Sequence, residues 1–173
     1  VSQRHERKPF VPVNVVRELR REEATEEEII SLRSVEIKQL KKRFPADKLE
    51  TLPRVDEKDL FDLKFSSSDP DWPYDVKVFE LEISFPAKYP LQRLEITLPE
   101  EQNLPETVRR YVEVTIQEWI EEREQQDIKR GVIAMVFRPF LRWLDKNLED
   151  IVTEGLKQLQ RELMAKAAGL EFI

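Results

Sequence analysis

Residues 85–99 read FPAKYPLQRLEITLP, an apolar stretch that three prolines interrupt. Proline fixes its own φ at about −65° and pushes the preceding residue toward extended geometry. We therefore predict a stiff turn between two strands, in which Tyr89 buries its ring against a sheet and bonds its hydroxyl to a backbone group of the turn. A catalytic role for Tyr89 would require a nearby acid or base, and the sequence indicates none. The predicted role of this turn is structural, and its residues are Phe85, Pro86, Tyr89 and Pro90.

The other prolines outline an α+β architecture. Most of the eleven lie between positions 45 and 105, whereas 13–44, 106–138 and 140–173 hold none. Long stretches without proline permit helices, and the alternating segments 60–65, 74–85 and 94–98 are typical of strands. This order predicts an N-terminal helix, then an antiparallel meander sheet of three to four strands covered on one face by helices, then a long C-terminal helix.

Three regions follow from this pattern. Residues 1–25 are predicted to form an arm with a short helix, which Asn14 caps and which carries Leu19. Residues 26–148 form the predicted domain, and 149–173 a helical extension. We expect a long helix from about Arg138 whose outer half projects from the body. Thr25 and Glu28 have the spacing of a capping box at the start of the first long helix, for which Ile30, Ile37 and Leu40 mark the expected buried face.

The first long helix should end before Pro45 with a basic cluster, Lys41, Lys42 and Arg43. Positive charge at a helix C-terminus complements the helix dipole, which is the simpler explanation of the cluster. A patch for an acidic or phosphate-bearing partner is the alternative.

The order of these elements resembles an RWD domain, a family that shares the fold of ubiquitin-conjugating enzymes. The resemblance is carried by a helix ending in Phe44-Pro45, by the strands and the Tyr89-Pro90 turn, and by the segment 131–137 before the last helix. In that family the turn usually reads Tyr-Pro-x-x-x-Pro, whereas here Leu94 stands at the final position. The resemblance covers about residues 30–148. It implies an interaction domain without the catalytic cysteine of the conjugating enzymes.

Composition narrows the possible functions. The chain has no cysteine, and its only histidine is His5. Thiol catalysis, thiolate metal sites and histidine-dependent triads are therefore excluded, and we expect neither an enzyme nor a cofactor or metal. Asp69, Asp71 and Asp75 lack the glycine and bidentate glutamate of a calcium loop. A net charge of −6 argues against a broad nucleic-acid surface.

Three groups of residues are candidates for binding a partner. Trp72 and Tyr74 lie in a polar loop, where they form either a small core under the loop or an exposed anchor. An acidic helix face presents Glu118, Glu121 and Glu122. A leucine stripe beyond the expected domain boundary needs a cover, which could be the domain itself, a second copy in a dimer, or another part of the parent protein. Of these, we predict that a partner covers the stripe; its members are Leu156, Leu159 and Leu163.

These observations predict a non-catalytic protein-interaction module of a larger intracellular, multidomain protein. The resemblance implies two settings for its partner, the ubiquitin pathway or a ribosome-associated scaffold in translational control. The alternative is an RNA- or ribosome-associated module of a helicase-like protein that uses the basic N-terminal arm. A cytoplasmic location is expected, with a nuclear one left open, and no membrane partner is expected.

Overall fold

A computed structural model describes residues 18–169, which form three α-helices and six β-strands. The chain is an α+β protein, as predicted. In chain order the elements are β1 (Glu18–Arg20), α1 (Glu26–Arg43), β2 (Leu49–Val55), β3 (Lys58–Phe65), β4 (Phe79–Phe85), β5 (Glu95–Thr97), α2 (Glu106–Arg130), β6 (Val132–Ala134) and α3 (Phe137–Ala167).

The main sheet is an antiparallel meander in the order β2-β3-β4-β5. Strands β3 and β4 pair along their whole lengths, with Phe61 opposite Ile83 and Leu63 opposite Leu81. Because side chains alternate between the two faces of a strand, these residues lie on one face of the sheet. They are almost completely buried in a core that also contains α2 and α3 residues.

The sequence prediction missed β2 and extended β4 too far. Strand β2 contains Pro53, and it reverses into β3 through Asp56 and Glu57, both of which have positive φ. Proline is tolerated there because β2 is an edge strand, which need not donate every backbone hydrogen bond. The segment from Tyr74 to Val78 is not a strand, and β4 begins at Phe79.

The prediction that Leu19 belongs to a short helix is wrong. Leu19 lies in β1 and pairs with Ile133 of β6 in a second, two-stranded sheet. A distant partner strand thus overrides the local helical pattern, because three residues gain their backbone hydrogen bonds from β6. The predicted cap, Asn14, lies outside the described residues.

Helix α1 begins as predicted, but its buried face differs. Thr25 and Glu28 form both bonds of the capping box. The buried side chains are Ile29, Leu32, Glu36 and Leu40. Ile30, which the sequence placed on that face, is 54% exposed.

The sequence predicted that the outer half of α3 projects from the body, but α3 packs against the domain instead. It runs unbroken past residue 148, the predicted domain boundary, and the core includes Ile151 and Val152 beyond it. Gly155 packs against α2, where an added Cβ would lie in ordinary van der Waals contact, 3.4 Å from the Cα of Val108. The α3 helix is therefore continuous with the domain through at least its fifth turn.

Candidate functional site: a groove between the first and last helices

Tyr89 links the Phe85–Pro90 turn to two helices. Its side chain is 1% exposed, and its hydroxyl donates a hydrogen bond to the Glu36 carboxylate of α1. The same hydroxyl accepts a bond from the Val136 backbone N–H at 2.7 Å, and Glu36 accepts one from the Phe137 N–H at 3.0 Å. One buried network therefore joins the turn, α1 and the beginning of α3.

Burial governs the acidity of Tyr89. Loss of solvation raises the pKa of its hydroxyl well above the ordinary value, and the charge of Glu36 and the hydrogen bond to it add to the effect. The hydroxyl is therefore neutral at physiological pH and remains a donor to Glu36. A buried carboxylate that accepts from the Phe137 N–H also places negative charge where the α3 dipole favours it.

The sequence prediction for Tyr89 was right about its ring and wrong about its hydroxyl. The ring packs edge-on against Phe85, with centroids 5.0 Å apart. The hydroxyl bonds to Glu36 and Val136 rather than to the turn. The sequence prediction missed Glu36. It lies four residues from both Leu32 and Leu40, so a charged residue at helical spacing between two leucines is the signal that could have identified it.

The turn itself is held by α1 through Arg33. Its guanidinium donates to the Pro86 carbonyl at 2.8 Å and to the Phe85 carbonyl at 3.1 Å. It also pairs with Asp59 of β3 at 2.5 Å. The turn is thus fixed from two sides, which agrees with the structural role predicted for it.

A groove of about 680 Å³ lies between the C-terminal part of α1 and the N-terminal part of α3. The end of β3 and the residues after it form its third side. This volume lies in the range of about 300–1,000 Å³ that is usual for binding pockets. Its apolar lining is Leu40, Phe44, Phe65, Phe137 and Leu141.

Four cations line the same groove: Lys42, Arg43, Arg138 and Arg142. All four are exposed, and within residues 18–169 none of them takes part in an ion pair. Arg43 does lie over the Phe44 ring, with its guanidinium carbon 5.5 Å from the centroid. Since the chain carries a net charge of −6, this basic rim is a local reversal of the overall charge.

Both carboxylates at the groove are already bonded to protein donors. Glu36 accepts from Tyr89 and Phe137, as described above. Asp145 accepts from the Ser68 backbone N–H at 2.7 Å and from its hydroxyl at 2.5 Å, which ties the loop after β3 to α3. The groove therefore offers positive charge that its own acidic residues do not pair with.

The two aromatic candidates, Trp72 and Tyr74, form a small core under their loop. Their rings meet edge to face, and Trp72 also packs against Phe79. The Trp72 indole donates to the Val76 carbonyl at 2.9 Å, and Tyr74 bonds to Thr153 of α3. Half-burial and these bonds favour the small-core alternative over an exposed anchor.

The leucine stripe is mostly covered by the domain itself. Leu156 and Leu159 pack against the main core, so they are corrected from partner-covered to domain-covered residues. Thr107 of α2 also donates to Glu162 of α3 at 2.7 Å, which fixes this part of α3 on α2. Leu163 remains 57% exposed beside the 66% exposed Met164.

The acidic candidates lie apart from the groove. Glu118, Glu121 and Glu122 are exposed on α2, and the nearby Glu124 pairs with Arg93 at 2.7 Å. None of the aromatic, acidic or leucine candidates predicted from sequence lines the groove. Of its cations, only Lys42 and Arg43 belong to a cluster that the sequence had raised as a possible patch.

Residues 18–169 show neither a metal site nor a membrane-spanning helix. No grouping of acidic or histidine side chains there could hold a metal ion. None of the helices there is both long and apolar enough to cross a membrane. A scan of the sequence against models of known protein families gives no match. A search of curated proteins also finds no relative.

Proposed function

We propose that this chain is a non-catalytic protein-interaction module with the RWD fold, and that the groove between α1 and α3 is its binding surface. The order of a capped helix, a four-stranded meander, the Tyr89-Pro90 turn and two further helices supports the RWD assignment. The observation that carries the function is an apolar groove whose four cations have no ion-pair partner in the described residues.

The rest of the site supports binding rather than chemistry. Tyr89 and Glu36 are a buried pair of ionisable residues near the groove. Their hydrogen bonds connect α1, the turn and α3, which is a structural role. Their hydrogen bonds hold the two walls of the groove at a fixed spacing. A preformed groove binds with less loss of conformational entropy than a mobile one.

The partner belongs to the ubiquitin pathway or to translational control, the two settings that the RWD resemblance implies. In either setting the module would work inside a cytoplasmic multidomain protein, docking another protein or another domain of its parent. The RNA-associated alternative would need its basic residues to contact phosphates, and the groove rim supplies four such residues. The experiments below separate these cases.

Affinity capture from cell extract tests the proposal, with the whole chain as bait and mass spectrometry as the readout. Three baits are compared: the wild type, the groove variant Arg138→Glu/Arg142→Glu, and the control variant Lys146→Glu/Lys166→Glu. The control changes the charge equally on exposed α3 residues outside the groove.

We expect conjugating enzymes, ligase subunits or a ribosome-associated scaffold on the wild-type and control baits, and their loss from the groove variant. Recovery of the same proteins by all three baits would contradict binding through the groove. Recovery of nothing above empty beads would contradict the interaction function itself.

A further inference from the structure

We infer that the groove takes an acidic segment of another protein that carries apolar side chains, rather than a nucleic acid. The inference deepens the proposed function and rests on it. Its basis is the combination of an apolar lining with a rim of Lys42, Arg43, Arg138 and Arg142.

Stabilisation of the helix ends explains the positions of only two of the four cations in that rim. Lys42 and Arg43 lie in the last turn of α1, where positive charge complements the helix dipole. Arg138 lies in the first turn of α3, which holds no acidic residue and where the dipole disfavours positive charge. The two pairs come from opposite kinds of helix end, yet they converge on one groove. Recognition of an anionic ligand accounts for both pairs, whereas dipole complementation does not.

The apolar lining of the groove favours one kind of anionic ligand over another. Phe44 is half-buried at the groove, and Leu40, Phe65, Phe137 and Leu141 lie beneath it. A phosphate backbone would meet the rim but leave the exposed part of the Phe44 ring without an apolar contact, whereas the other four side chains are already buried in the core. An acidic peptide with apolar residues at helical spacing satisfies both features, in the manner of a helix laid in a groove.

Charge on the rest of the molecule strengthens this choice. The outer face of the main sheet is acidic, since Asp62 of β3 lies opposite both Glu50 and Glu82. The pKa of Asp62 is raised by burial first and then by the charges of Glu80 and Glu50. A long polyanion would extend beyond the groove onto a chain whose net charge is −6, whereas a short acidic segment can be confined to the groove.

The test measures binding of a defined probe to the whole chain by fluorescence anisotropy. The probe is a fluorescein-labelled peptide of about 16 residues, long enough for partial helix in water, built from Glu, Ala and Leu with Leu at i, i+3, i+4 and i+7. Two comparison probes have the same net charge: polyglutamate without leucine, and single-stranded oligouridine.

We expect the leucine-containing peptide to bind the wild type most tightly, with affinity that falls as salt rises. Arg138→Glu/Arg142→Glu should weaken it by on the order of tenfold or more, because two attractions become repulsions. Lys146→Glu/Lys166→Glu should keep it within roughly twofold. Glutamate in the first turn of α3 suits the helix dipole, so the groove variant is expected to stay folded, which a thermal melt checks.

Three results would overturn the inference. Equal binding of polyglutamate and the leucine peptide would remove the apolar contribution. Tighter binding of oligouridine, lost in the groove variant, would assign the rim to RNA. Equal peptide binding by the groove and control variants would place binding elsewhere.

The proposed function can fail or hold separately from this inference. Specific partners in affinity capture together with no peptide binding would overturn only the acidic-ligand inference. An absence of partners in capture would overturn the interaction function as well.

Discussion

Replacing Tyr89 by Phe removes one hydroxyl from the network that joins the turn, α1 and α3. The ring stays, so its packing against Phe85 is retained. The Glu36 carboxylate loses a donor, and the Val136 N–H loses its acceptor. Glu36 still accepts from Phe137, so the carboxylate is not left without any bond.

The magnitude follows from these two losses. A hydrogen bond to a charged group contributes about 1.5–3 kcal/mol, and an unsatisfied buried backbone donor costs about 1 kcal/mol or more. We therefore expect Tyr89→Phe to lower the free energy of unfolding by about 3 kcal/mol. For a chain of this size, that loss corresponds to a fall in Tm of roughly 6–12 °C.

Urea unfolding followed by tryptophan fluorescence and far-UV circular dichroism measures the change. Tyr111→Phe is the matched control, because within residues 18–169 the Tyr111 hydroxyl forms no hydrogen bond, and it should stay within about 0.5 kcal/mol of the wild type. Equal stability of Tyr89→Phe and Tyr111→Phe would refute the network.

The pH dependence gives a second readout of the same residue. Because burial raises the pKa of Tyr89 above the unfolded value of about 10, the unfolded chain loses the phenolic proton first as pH rises. The stabilisation from the hydroxyl is therefore complete below about pH 10 and is lost above it. The wild type should lose its advantage over Tyr89→Phe in that alkaline range.

Three further changes probe the sheet face and the last helix. Asp62→Asn should raise the free energy of unfolding at pH 7 by roughly 0.5 kcal/mol, since it removes a charge beside like charges. This gain should vanish as pH falls through the raised pKa of Asp62 and below its unfolded value of about 3.9, as urea unfolding across pH can show. Gly155→Ala should stabilise by roughly 0.5 kcal/mol through helix propensity, whereas Gly155→Leu should cost about 1–3 kcal/mol against α2, both read from thermal melts. Truncation after Leu148 should cost about 4 kcal/mol or more, because it removes the buried Ile151 and Val152.

Each of these changes has a control and a contrary outcome. Asp150→Asn, at an exposed position, should not raise the free energy of unfolding at pH 7 as Asp62→Asn does, and an equal gain there would contradict the account of Asp62. Equal effects of Ala and Leu at 155 would show that α2 does not approach closely. Truncation after Leu163 should leave the free energy of unfolding nearly unchanged. If truncation after Leu148 also left it unchanged, the result would support the prediction from the sequence that the helix projects.

Local signals in the sequence were sufficient for most helix ends and for the central strands. Thr25 with Glu28, and Gly131 with its positive φ at the end of α2, mark boundaries through chemistry that neighbouring residues complete. The alternation in β4 identified the face that is buried. Each of these features depends on residues a few positions apart.

Features that depend on distant partners were not predictable. β1 forms because β6, more than a hundred residues away, supplies its hydrogen bonds. The groove likewise needs Arg138 and Arg142 brought beside Lys42 and Arg43. A sequence pattern gives the period of a helix but not which neighbour covers it, so the covered leucines of α3 were assigned to an external partner.

The most direct test of the central claim is an NMR map of the whole chain titrated with the leucine-containing acidic peptide. Binding in the groove predicts that the amide signals that move are those of the end of α1, the loop after β3 and the first turns of α3, which are residues 39–44, 66–68 and 138–145. Movement confined to the sheet's outer face or to the end of α3, or no movement at all, would contradict the claim.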